Sequence, residues 1–178
     1  MNETLKTIEQ RRSCRLFQNK SLSKEELEMI LKAGIQAPSA MNKQLCEVFA
    51  ITDPTLIDEL AENIKNVYIE RGEQRPSDYH FAYHAPVLVI VSGPEYDSCR
   101  LQDGSCILEN MFLAATSLNI GSCWINQFKD TQNVDEVRSI LTRIGIPVNH
   151  QIVGCAALGY PCGNSLPKEK NMNRIHII

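Results

Sequence analysis

The stretch Ala85-Pro86-Val87-Leu88-Val89-Ile90-Val91 is the longest apolar run in the chain, and Val87–Val91 within it is almost wholly β-branched. It lacks the in–out alternation of a half-exposed strand and suits a strand at the centre of a sheet, covered on both faces. Such a strand demands packing elements on either side, and the sequence supplies them. Ile107–Leu118 is a strongly apolar helical segment expected at the heart of the core. Asp53-Pro54 opens a helix carrying Leu56, Ile57, Leu60, Ala61, Ile64 and Val67, with proline suited to its first turn. Ser23 and Glu26 form a capping-box pattern, followed by Leu27, Ile30 and Leu31 on one stripe and Gly34 near the helix end. Leu5 and Ile8 predict a helix over Thr4–Arg11, and Val134–Leu141 predicts another. Further strands are expected at Val48–Thr52, Gly121–Ile125 and Ile152–Leu158. This order of strands and helices implies an α/β or α+β sandwich. No composition break or repeat divides the 178 residues, so one domain over residues 1–178 is expected. Arg71–Asp78, polar with Gly and Pro, is the expected surface excursion. The polar tail after Gly159-Tyr160-Pro161 has too little apolar surface to pack alone; it either drapes over its own subunit or embraces a partner.

Several function classes fall away on charge and composition. Eighteen basic and 21 acidic side chains give a net charge of −3, without the basic excess that nucleic acid or an anionic membrane surface requires. No apolar run approaches the roughly 20 residues needed to cross a bilayer. Met1–Gln10 is polar, without the apolar centre of a secretory signal, and a cytoplasmic protein is expected. The seven cysteines are odd in number and form no CxxC, which argues against a disulfide framework or a zinc ribbon; most are expected to be reduced, small buried hydrophobes. His80 and His84 have the spacing of two ligands stacked on one helix face. Their segment ends at Pro86, however, and structural or exposed histidines are the expected reading, with no metal site.

No GxGxxG or GxxxxGK[ST] pattern occurs, so a bound phosphate would have to be gripped by side-chain cations and not by a glycine-framed helix N-terminus. Such cations exist: Arg11, Arg12 and Arg15 crowd five positions with Ser13 between them. Planar bidentate guanidinium groups beside a hydroxyl suit a phosphate monoester. The competing reading is a solvated basic turn. The Ala37–Gln44 loop offers Ser39, Asn42 and Gln44, uncharged groups able to read the edges of a polar ring system. They equally suit an ordinary turn bonded to its own backbone.

Taken together, Arg11-Arg12-Ser13-Cys14-Arg15-Leu16-Phe17 and Ala37-Pro38-Ser39-Ala40-Met41-Asn42-Lys43-Gln44 resemble the two N-terminal signatures of the FMN-dependent nitroreductase family. Gly121-Ser122-Cys123-Trp124-Ile125 is similar to the family's strand beside the flavin ring, Gly159-Tyr160-Pro161 to its C-terminal strand exit, and Leu166-Pro167-Lys168-Glu169-Lys170 to its cationic tail. The five segments occur in family order along nearly the whole chain. The resemblance implies an α+β fold with a mixed β-sheet flanked by helices, and a C-terminal extension embracing the partner subunit of a homodimer. It implies FMN at the subunit interface, NAD(P)H as electron donor, and ping-pong hydride transfer through flavin N5 to a nitroaromatic, quinone or similar small acceptor. Carried over residue by residue, it puts Arg11, Arg12, Ser13, Lys168 and Lys170 at the phosphate and ribityl end. Arg15 falls near N1 and the C2 carbonyl. Pro38, Ser39, Asn42 and Gln44 reach in from the other subunit. Trp124, Ile125, Asn126 and Gln127 run beside the ring, with the backbone N–H of Asn126 or Gln127 directed to N5. The flavin carries the chemistry, so no catalytic side chain is expected. Departures lie on the substrate side: Leu45-Cys46 stand where many members have Pro-Trp, and Asn126-Gln127 replace small or acidic residues. They leave room for a redox-sensing module or a related flavin-dependent reductive dehalogenase.

Overall fold

The computed structural model describes residues 1–163 and 169–178. Lys168 and the Leu166-Pro167 part of the tail motif lie outside the described residues. Helix α1 spans Glu3–Gln10, α2 Lys24–Ile35, α3 Pro54–Glu70, α4 Arg100–Ser117, α5 Phe128–Thr131 and α6 Asp135–Ile144. Strand β1 spans Glu47–Ile51, β2 Val87–Pro94, β3 Gly121–Ile125 and β4 His150–Gly159. The sheet order is β1-β2-β4-β3 and every one of these pairings is antiparallel. The parallel component of the expected mixed sheet is confined, among the described residues, to an isolated bridge between Ser13 and Ser122.

Every residue of β2 is buried, as its apolar run requires. Its side chains alternate between two cores. Leu88 and Ile90 join Ile57, Leu60 and Ile64 of α3 and Val137 and Leu141 of α6. Val87, Val89 and Val91 join Ile30 of α2 and Ile107, Leu108, Met111 and Phe112 of α4. The architecture is α+β, with helices on both faces of an antiparallel sheet. β2 runs past its apolar stretch to Pro94 through a bulge between Val91 and Ser92. The buried Ser92 hydroxyl is satisfied there by His150 Nδ1 at 3.1 Å.

The capping box forms as the sequence implies. Ser23 Oγ accepts from Glu26 N at 3.1 Å, and Ser23 N donates to Glu26 Oε2 at 2.8 Å. Glu26 also accepts the Tyr160 hydroxyl at 2.9 and 2.7 Å, tying the start of α2 to the exit of β4. α4 starts two turns earlier than its apolar run suggests, because those turns bury Asp103 and Gly104. Fewer cysteines are buried than expected: Cys14, Cys123 and Cys155 are, Cys46 and Cys99 are half-buried, Cys106 and Cys162 are exposed, and all seven are free. No described helix is long and apolar enough to cross a membrane.

Gly104 lets α4 lie against β4: a Cβ there would sit 2.7 Å from a Val153 methyl and 2.9 Å from Val153 Cβ. Overpacking of this kind costs about 1–3 kcal/mol, against roughly 1 kcal/mol gained from replacing a helical glycine. Gly104→Ala is expected to destabilise the chain by up to about 2 kcal/mol in urea unfolding, and a raised midpoint, the result for a helical glycine facing open space, would contradict the close approach.

Candidate functional site

The basic segment is extended, not a turn. Cys14 N donates to Ser122 O at 2.8 Å, Ser13 bridges Ser122, and Phe17 bridges Pro161. Arg11–Phe17 therefore meets β3, the sheet's edge, at Ser13 and Cys14, and the exit of β4 at Leu16 and Phe17. Side chains alternate along extended backbone, so the arginine triplet divides. Arg11, Ser13 and Arg15 form one row: Arg11 Nε lies 3.5 Å from Glu109 of α4, and Arg15 Nε donates to the Tyr83 hydroxyl at 3.3 Å. Among the described residues the terminal nitrogens of Arg15 make no hydrogen bond or ion pair. Arg12 belongs to the opposite row. It folds back on the last turn of α1, donating to Glu9 O and, at 2.7 Å, to Arg11 O. A cation there satisfies carbonyls that a helix C-terminus leaves open. On β3, Ser122 is 1% exposed and its hydroxyl has no partner among the described residues.

The second segment sits elsewhere. Ala40 N donates to both carboxylate oxygens of Asp103, at 3.2 and 3.1 Å; Asp103 is only 8% exposed. Met41, Asn42 and Gln44 adopt φ values of 54°, 54° and 52°, a region non-glycine residues enter only when surroundings hold them. The hold is local: Ser39 Oγ accepts Gln44 N at 3.1 Å, and Gln44 Nε2 donates to Asn42 Oδ1 at 3.0 Å. Met41 is left 88% exposed. Pro38–Gln44 leads into β1, the sheet's other edge, which stands four strand spacings, roughly 19 Å, from the arginine row beyond β3.

The third segment is on β3. Trp124, 37% exposed, lies over Gly154, where a Cβ would come within 2.7 Å of the indole. Its ring meets Phe112 edge-on at 6.2 Å. Ile125 points into the core, so it can offer a ligand only backbone. Asn126 N already donates to Gln127 Oε1 at 3.1 Å. Gln127 and Arg15 share a cavity of about 270 Å³ with Tyr79, His80, Tyr83 and His84. Lys170 is exposed.

Two groups are not assigned to the site from sequence, although the spacing of His80 and His84 offers a possible ligand pair. One is Asp103, whose role is visible only through its contact with Ala40. The other is a cluster of Asp58, His80 and His84, whose potential ligand atoms lie within 4.8 Å of one another. His80 Nδ1 accepts from Ala82 N and His84 N, both at 3.2 Å, and Nε2 faces Asp58 Oδ1 at 3.3 Å. A neutral imidazole accepting at Nδ1 carries its proton on Nε2, which then donates to Asp58 and has no lone pair for a metal. Burial, and then the neighbouring His84, push His80 below the ordinary histidine range, against the pull of Asp58. The half-buried Cys46 thiol is pushed up to about 11, by burial and then by Asp103. It is held as a thiol, not as a nucleophilic thiolate.

The fold and this edge define a class: an α+β sandwich that offers side-chain cations and a hydroxyl, with no glycine loop, along one margin of an antiparallel sheet. The family model described as Nitroreductase family matches residues 8–160, and the chain belongs to that family. It is 32% identical over 166 residues, covering 90% of this chain and 87% of the other, to an Archaeoglobus fulgidus protein whose description names NADH dehydrogenase/NAD(P)H nitroreductase. It is 27% identical to the NADPH-flavin oxidoreductase of Vibrio harveyi, over 100% of this chain and 73% of that one. A crystal structure of a nitroreductase with bound FMN from Bacteroides fragilis NCTC 9343 matches it at 42% identity over 100% of both chains, with a TM-score of 0.93.

His80 gives stability a pH signature. The folded state disfavours its protonation, so its contribution is full above the ordinary value of 6.5 and is lost as pH falls through the lower folded value. The stability difference between the wild type and His80→Gln is expected to stay constant above about pH 6.5 and shrink below it in thermal unfolding. A difference independent of pH would contradict the assignment.

Proposed function

We propose that the chain is an NAD(P)H-dependent FMN oxidoreductase, cytoplasmic and homodimeric, that reduces a nitroaromatic, quinone or similar small acceptor. The observation that carries this reading is the row Arg11–Ser13–Arg15, with the terminal nitrogens of Arg15 uncommitted. Family membership, the FMN in the Bacteroides fragilis structure and the Vibrio harveyi relative's name support it. The residues present fit the cofactor: a cation–hydroxyl–cation row, with the terminal nitrogens of Arg15 unpartnered among the described residues, suits a phosphorylated, hydrogen-bonding ligand.

Arg11 and Ser13, with Lys168 and Lys170 of the tail, would hold the phosphate and ribityl end. Arg12 would join them only by leaving its carbonyls. Arg15 would face N1 and the C2 carbonyl, where a fixed cation lowers the energy of negative charge on the pyrimidine edge. Trp124 would shield the ring, Ile125 would contribute backbone, and the Gln127 N–H is a better donor toward N5 than that of Asn126, which is already bonded. Once bound, FMN supplies the redox chemistry, accepting hydride from the nicotinamide and passing two electrons to the acceptor in a ping-pong cycle, with the proton drawn from solvent. Pro38, Ser39, Asn42 and Gln44 stand on the opposite sheet edge, so they would complete the site of a second subunit. A two-fold assembly gives two equivalent shared sites.

The purified protein is expected to be yellow and to oxidise NADH or NADPH with menadione or a nitroaromatic as acceptor. Bound FMN without oxidation would favour a redox sensor, and a colourless folded protein that refuses FMN would end the reading. Arg15→Ala should lower the flavin midpoint potential and weaken FMN binding about tenfold, as loss of a charge-assisted hydrogen bond does. An unchanged potential removes the role given to Arg15. Dilution into monomers should release FMN, seen as recovered flavin fluorescence; retention by a demonstrated monomer would refute the shared site.

A further inference from the structure

Arg15 is an exposed arginine, and a free arginine side chain samples many rotamers that binding must freeze. Electrostatic stabilisation works only when the charge is already in place. Something must therefore aim this guanidinium, and among the described residues its side-chain hydrogen bond and its cation–π contact are both to Tyr83. Arg15 Nε donates to the Tyr83 hydroxyl at 3.3 Å, and its guanidinium carbon lies 5.8 Å from the Tyr83 ring centroid. Because the group is planar, fixing Nε fixes both terminal nitrogens and leaves their four N–H groups for a ligand.

Tyr83 is itself in a forced position. It and His84 have φ values of 56° and 53°, a conformation that non-glycine residues keep only when their surroundings hold them there. The structure shows what imposes it. His80 Nδ1 accepts the N–H groups of Ala82 and His84, and Tyr83 N donates to His80 O at 3.0 Å. The His84 ring lies 4.1 Å, centroid to centroid, from the His80 ring. Phe81 pins the loop to α5 through an edge contact with Phe128 at 5.4 Å. The same loop walls the cavity in which Arg15 and Gln127 meet.

We propose that Tyr79–His84 is a positioning arm for the flavin-site arginine: Tyr83 orients the Arg15 guanidinium, and the Nδ1 lone pair of His80 clamps the loop that presents Tyr83. The inference rests on the flavin reading above, since Arg15 has its role only there. Tyr83 and His80 are positioning residues, acting through Arg15 without touching the reacting atoms.

Three measurements decide it. Nitrogen-15 spectra of the apoprotein should show His80 with a bare, hydrogen-bond-accepting Nδ1 and a protonated Nε2; the opposite tautomer overturns the clamp. Tyr83→Phe should shift the flavin midpoint potential to more negative values and raise the FMN dissociation constant about fivefold, as loss of one hydrogen bond does. The same substitution in an Arg15→Ala background should move the potential no further. Equal shifts in both backgrounds, or none in the wild type, overturn the arm while leaving FMN binding intact. A wild-type protein that takes up no FMN defeats the flavin reading and the arm together. The two failures are thereby distinguished.

Discussion

The β2–β4 ladder governs what the rest of the molecule can do. Eight residues of β2 pair antiparallel with β4, and none of them reaches solvent. Burying a strand on both faces requires a core above and a core below, and the two hydrophobic clusters meet that requirement with α3 and α6 on one side and α2 and α4 on the other. The middle of the sheet is thereby closed to any ligand. What remains are its margins, and each carries one of the candidate segments: Ser13 and Cys14 pair with β3, and Pro38–Gln44 leads into β1.

Much of this architecture is legible in the residues. The apolar run at Val87 marks the centre of the sheet, the Ser23–Glu26 pair marks a helix start, and Gly121–Ile125 matches β3 end for end. Strand direction is not legible, because periodicity reports which face is buried and not which way the neighbour runs; the mixed sheet is expected from the family resemblance alone, and the four strands pair antiparallel. The early start of α4 was hidden because Asp103 and Gly104 look like surface residues until Ala40 and Val153 are seen against them. The one-turn helix α5 is too short to carry any period.

For the candidate site, residue type was legible and direction was not. Three arginines in five positions read as one basic cluster, yet extended backbone sends Arg12 away from Arg11 and Arg15. Ile125 looks like part of the ring-side segment, yet its side chain is core. The Arg15–Tyr83 contact spans 68 positions, and no local pattern could announce it. The tautomer of His80 is likewise a product of the fold, since it depends on two backbone N–H groups turned toward the ring.

Helix α4 has a further consequence. Near its start Asp103 grips the Pro38–Gln44 loop, and six residues on, roughly 9 Å along the axis, Glu109 meets Arg11. One rigid rod thus touches both margins of the sheet. In a two-fold pair each rod would run from one flavin chamber to the other, so a small slide of the rod would be registered at both.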